Sequence, residues 1–167
     1  MQAKLFFRAL ALGFFILSVG SFTSYAEFNA TPASFEGFWA GSVTDVTDSE
    51  NSTFLILRIE DGKASQFFYD SDANDFVKSD FDRESTVSLG NNFHYTWLNQ
   101  GGIWSETHAH ALSFLNPELL WCVMVRQVTN ASEDEDVSGI NDEWNVVYEG
   151  GLDFFRSLTA LREAYLD

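Results

Sequence analysis

Residues 92–114, NFHYTWLNQGGIWSETHAHALSF, alternate large apolar with small or polar side chains on both sides of Gly101-Gly102. A period of two is the signature of a β-strand with two unlike faces. Two such runs about a Gly-Gly pair predict a hairpin. With Gly101 and Gly102 as the loop, Trp97 faces Glu106, Tyr95 faces His108 and Phe93 faces His110. Opposed residues share a side of the sheet. One face then carries Phe93, Tyr95, Trp97, Trp104, Glu106, His108, His110, Leu112 and Phe114. The other carries His94, Thr96, Leu98, Gln100, Ile103, Ser105, Thr107, Ala109 and Ala111. Turning the aromatic face to water forfeits about 6–12 kcal/mol, which is comparable to the stability of a whole domain. The aromatic face is therefore expected inside, and Glu106, His108 and His110 go in with it.

Three polar side chains on an inner face need partners, because a buried unpaired imidazole costs about 1–3 kcal/mol and a lone carboxylate more. A hydrogen-bonded network or the wall of a wet cavity satisfies them, and the Tyr95 phenol is a ready donor to an imidazole. A metal ion also satisfies them: His-x-His on a strand is a ligand spacing, with Glu106 as a third donor, and zinc is the natural candidate. A register wrong by one residue would instead leave them on the surface.

Strand signals run through the rest of the chain. GFWAGSVTDV, TFLILRIE and KASQFFYD lead the series, the last two flanking Asp61-Gly62, a strong hairpin signal. FVKSDFD and STVSLG are weaker, LLWCVMVRQVTN is the most apolar, and EWNVVYEG is the last. No helical pattern separates them, so parallel crossovers are not expected. The prediction is an all-β fold: an antiparallel up-and-down meander of eight or nine strands curling into a barrel, which would remove exposed edges. After Gly150-Gly151, the residues Phe154, Leu158, Leu161 and Tyr165 fall on a helical stripe. They predict a short C-terminal helix packed on the barrel or its mouth.

Residues 1–26 have the three-part pattern of a secretory signal peptide: Lys4 and Arg8, then an apolar run, then Ser24 and Ala26 as small residues before a cut. The apolar run is short for a membrane span. Residues 27–167 are expected to form one domain, exported to a bacterial periplasm or secreted, with no membrane span once the leader is removed. Loss of Lys4 and Arg8 takes the formal net charge from −16 to −18. That acidity excludes nucleic acid as a partner and keeps an exported protein soluble. Cys122, the one cysteine, has no disulfide partner within the chain and reads as a small buried hydrophobe.

SFEGFWAG, with Phe35, Gly37 and Trp39 before the first strand, resembles the opening of the calycins, the lipocalin and fatty-acid-binding-protein group. The resemblance implies an up-and-down barrel whose Trp39 plugs one end. It also implies a later basic residue packed across that tryptophan, for which Arg126 or Arg156 stands at a suitable position. GFWAG is equally similar to the start of the heme-binding nitrobindins, although no histidine here matches their axial ligand. The chain has neither the lipocalin Thr-Asp-x-Tyr element nor disulfides. The resemblance covers architecture and rests on Gly37 and Trp39.

Asp70, Asp72 and Asn74 have the spacing that opens a calcium loop, but Asp75 stands where glycine is required and Phe81 where a bidentate glutamate is required. A solvated turn is expected there, and a flexible acidic loop around residues 133–136. No nucleophile motif, zinc-protease motif or phosphate loop is present in the sequence, so catalysis is not the expected role. The expectation is a barrel that binds a small, mostly apolar molecule, without a predicted cofactor. Phe93, Tyr95, Trp97, Trp104 and Phe114 would supply contact area, and Glu106, His108 and His110 would orient a polar end. Two readings stay beside it: a solid-core interaction module without ligand, and a metal-dependent enzyme at Glu106-x-His108-x-His110.

Overall fold

The structure, a computed structural model, describes residues 34–102, 104–130 and 143–166. The leader expected at residues 1–26 and the acidic stretch at 131–142 lie outside them. The strands are β1 (Gly37–Asp45), β2 (Ser52–Glu60), β3 (Lys63–Asp70), β4 (Asp75–Lys78), β5 (Arg83–Leu89), β6 (Asn92–Gly101), β7 (Trp104–Asn116), β8 (Leu119–Asn130) and β9 (Glu143–Phe155). One helix follows, α1 (Leu158–Tyr165). All neighbouring strands are antiparallel, as alternation and short turns require. The nine strands form one curled sheet, a half-barrel, with the order β4-β3-β2-β1-β9-β8-β7-β6-β5.

That order is two meanders joined by β1 pairing with β9. The first and last strands meet as they do in a closed up-and-down barrel, while β4 and β5 form the two edges. Side chains span part of that seam. The Ala64 N–H of β3 donates to the Thr86 hydroxyl of β5 at 3.2 Å, and the Trp97 indole N–H of β6 donates to the Gln66 side-chain oxygen of β3 at 2.7 Å.

Local chemistry explains the turns and the crossing. Asp61 and Gly62 both have positive φ, 53° and 69°, the two-residue turn that matches strand twist. The Glu36 carboxylate accepts from both of their N–H groups. Where β1 meets β9, side chains do not fit: a Cβ on Gly41 would lie 2.2 Å from the Gly151 carbonyl oxygen, and one on Gly150 would lie 2.4 Å from that of Ser42.

Two cores result. Inside the curl, Phe35, Trp39, Val43, Leu55, Leu57, Phe93, Tyr95, Leu112, Leu120, Met124 and Leu152 pack together. Outside, Phe38, Ala40, Ile56, Phe67 and Phe76 pack beneath Leu161 of α1. Residues 38–41 of β1 and 55–57 of β2 are buried on both faces, so those stretches are continuously apolar. The helix begins later than its stripe suggests, because Phe154 and Phe155 still belong to β9. The Ser157 hydroxyl caps it by accepting from Ala160 N–H, and the Arg162 guanidinium grips both oxygens of Asp75 on β4. Among the described residues, no helix is long and apolar enough to cross a membrane.

Candidate functional site

The β6–β7 hairpin has the predicted faces and a corrected register. Gly101 pairs with Trp104, Trp97 with His108, Tyr95 with His110 and Phe93 with Leu112. The turn lies one residue further along than a Gly101-Gly102 loop, with Gly102 in the left-handed region at φ 60°. The pairing therefore slips by two, and a slip of two leaves every side chain on its own face. Phe93, Tyr95, Trp97 and His110 are buried, and Trp104, Glu106, His108 and Phe114 are half-buried.

Phe93 and Phe114 pack on Phe35 with tilted rings, and Phe114 also meets Trp39. These rings close the end of the curl where Trp39 sits fully buried, its indole N–H donating to the Phe35 carbonyl at 2.7 Å. Gly37 has φ 132°, and a Cβ there would collide with the Phe154 ring. That ring in turn packs on Trp39, with centroids 5.0 Å apart. The Arg126 expected across Trp39 is elsewhere. It stands on β8 toward the opposite end, its guanidinium 4.7 Å from the Trp144 ring centre. Arg156 is exposed beside α1, on an open groove of about 430 Å³ that it shares with Glu118, Asp153 and Phe155.

Glu106 is the hub of the opposite end. One of its oxygens accepts from Arg126 Nε at 2.6 Å and lies 2.7 Å from His108 Nε2. Burial works to raise the Glu106 carboxyl, but hydrogen bonds from Arg126 and His108 outweigh it, and the group sits below its ordinary value. An ionised carboxylate only accepts, so His108 Nε2 carries the proton and Nδ1 is a bare lone pair. Burial holds the His108 imidazole below its usual value against the pull of Glu106. The ring ends a stacked column: Phe81 stacks on Trp97 at 4.1 Å, and Trp97 stacks on His108 at 3.9 Å.

His110 is deeper, at 2% exposure. Its Nδ1 lies 3.1 Å from the Tyr95 carbonyl, which can only accept, so Nε2 is again a bare lone pair. Burial pushes this imidazole down to about 4. Tyr95 gives its phenol proton to Glu84, not to a histidine. Burial and that carboxylate drive the phenol's pKa far upward. His108 Nδ1 and His110 Nε2 are both buried without a hydrogen-bond partner, each at a cost of about 1–3 kcal/mol.

Glu106 is committed to Arg126 and His108. Among the described residues, no group of three or more His, Cys, Asp and Glu side chains is placed to hold a metal. Asp70 caps its own turn by accepting from Asp72 and Ala73 N–H. Residues 133–136 lie outside the described residues. Cys122 is buried, and burial raises its thiol to about 12.

Sequence reasoning missed Phe81, Trp144, Gln66 and Glu84 at this end. Trp144 was accessible to it, because it shares parity with Tyr148 and Leu152 on β9. Gln66 and Glu84 reach the site across the seam, which no local pattern encodes. Comparisons with protein-family models, with curated proteins and with solved structures found no match for the chain.

Proposed function

We propose that this is an exported protein that binds a small, mostly apolar molecule at the end of the curl away from Trp39. One observation carries the reading. Trp104 and Trp144 have inward parity on their strands yet remain partly exposed, Trp144 by 38%. Inward aromatics in contact with solvent describe a mouth, whereas inward aromatics at the other end are sealed. Glu106, His108 and Arg126 stand beside them as a polar anchor. Aromatic faces supply contact area, and a few fixed polar groups set orientation. The leader-like stretch at residues 1–26 supports export.

The solid-core module is the competing reading, favoured by the Phe81–Trp97–His108 column, which uses aromatic faces internally. Native mass spectrometry of protein purified from its producing cells separates the two. The expected result is an organic mass excess that disappears on denaturation, with tryptophan fluorescence changing as it leaves. No organic excess, together with fluorescence indifferent to an apolar ligand panel, would favour the solid core.

A further inference from the structure

We propose that His108, His110 and Met124 form a buried site for a single cuprous ion. The inference does not require the organic ligand proposed at the mouth, although His108 belongs to both sites. Its basis is the pair of bare nitrogens, His108 Nδ1 and His110 Nε2, buried on one face of one strand with no partner. Each ring already gives its other N–H to an acceptor: His108 to the Glu106 carboxylate, His110 to the Tyr95 carbonyl. Metal-binding histidines characteristically have this outer arrangement, which fixes the tautomer and makes the free nitrogen more basic. Both rings are also held by stacking, on Trp97 and Tyr95.

The identity of the ion follows from what surrounds the rings. Their centres are 6.1 Å apart. An ion bonded to one nitrogen of each at about 2.0 Å holds ring centres roughly 6 Å apart when the arrangement is close to linear. Met124 is the direct cross-strand partner of His110, faces the same side and is buried. It can therefore bring a soft thioether to the pair. Glu106, the carboxylate of this face beside the pair, is neutralised by Arg126. A hard divalent ion would enter a buried site without charge compensation. Thioether and imidazole donors, low coordination and a single positive charge together select Cu(I).

The test titrates the metal-free protein with Cu(I) under anaerobic, reducing conditions against a chromophoric Cu(I) chelator. Native mass spectrometry counts the ions, and long-range ¹H–¹⁵N spectra follow the histidine rings. The expected result is one Cu(I) per chain, displaced resonances of His108 Nδ1 and His110 Nε2, and at least tenfold weaker binding in both His110→Leu and Met124→Leu. Met124→Leu conserves volume, and circular dichroism checks its fold. Absence of a retained ion would overturn the proposal. So would Cu(I) that leaves those two nitrogens unmoved in the wild-type chain, or that binds both variants undiminished. Neither result bears on the organic mass excess at the mouth.

Discussion

Acid should destabilise this fold through His110, by an amount that can be worked out in advance. In the unfolded chain its imidazole titrates near 6.5, and in the folded chain at about 4. Between those values the unfolded state binds the proton and the folded state does not, so stability rises with pH across the window. The contribution is complete above about 6.5 and is lost as pH falls toward 4. A shift of this size, at about 1.4 kcal/mol per unit, amounts to about 3 kcal/mol. His108 shifts in the same direction. The carboxylates of Asp45, Asp75 and Glu106, held below their usual values, lose their contributions at lower pH. The perturbation that isolates His110 is His110→Leu, with metals chelated in both proteins. Urea unfolding at intervals from pH 7 to pH 4 should show the wild type losing about 3 kcal/mol more than the variant. Equal losses would refute the reasoning, because they would mean that His110 is protonated as easily in the fold as outside it.

Glycine contacts give a second prediction. Gly150→Ala should destabilise by about 1–3 kcal/mol, since its Cβ meets the Ser42 carbonyl oxygen, whereas Gly101→Ala, facing open space, should leave Tm nearly unchanged. The two ends of the curl should differ in the same assay: Trp39→Ala should cost about 3–5 kcal/mol and Trp144→Ala much less, and equal losses would remove the distinction between plug and mouth. Arg126→Leu should raise the Glu106 carboxyl by removing its strongest downward influence. A ¹³C titration of that carboxyl checks it, and an unmoved value would contradict the hydrogen bond.

The inner face of the hairpin was legible because a period of two is local and the burial of six large apolar side chains decides between faces. Its register was not, since Gly101 and Gly102 can both enter the turn and parity is blind to a slip of two. Gly150 and Gly151 read as a break before a helix. They lie inside β9, where two backbones approach more closely than a side chain allows. Their meaning depends on β1, more than a hundred residues earlier, which local spacing cannot reveal. The same distance hid the strand order. Place in the chain makes Arg126 a candidate to pack on Trp39, but its position far along β8 carries it toward the Trp144 end.

The β1–β9 ladder has a consequence for how the chain folds. Among the described strands it is the one pairing between elements that are not consecutive, so it alone must close a long loop before any contact rewards it. Joining the described ends and opening the β4–β5 link would place β9 before β1, with only α1 between them. Every neighbour in the sheet would then be a neighbour in the chain. Such a circular permutant would keep the same contacts at lower contact order, and its folding should be faster than that of the natural sequence. The seam between β4 and β5 would persist in it as the site of the new chain ends, because permutation moves the ends and leaves the strand order unchanged.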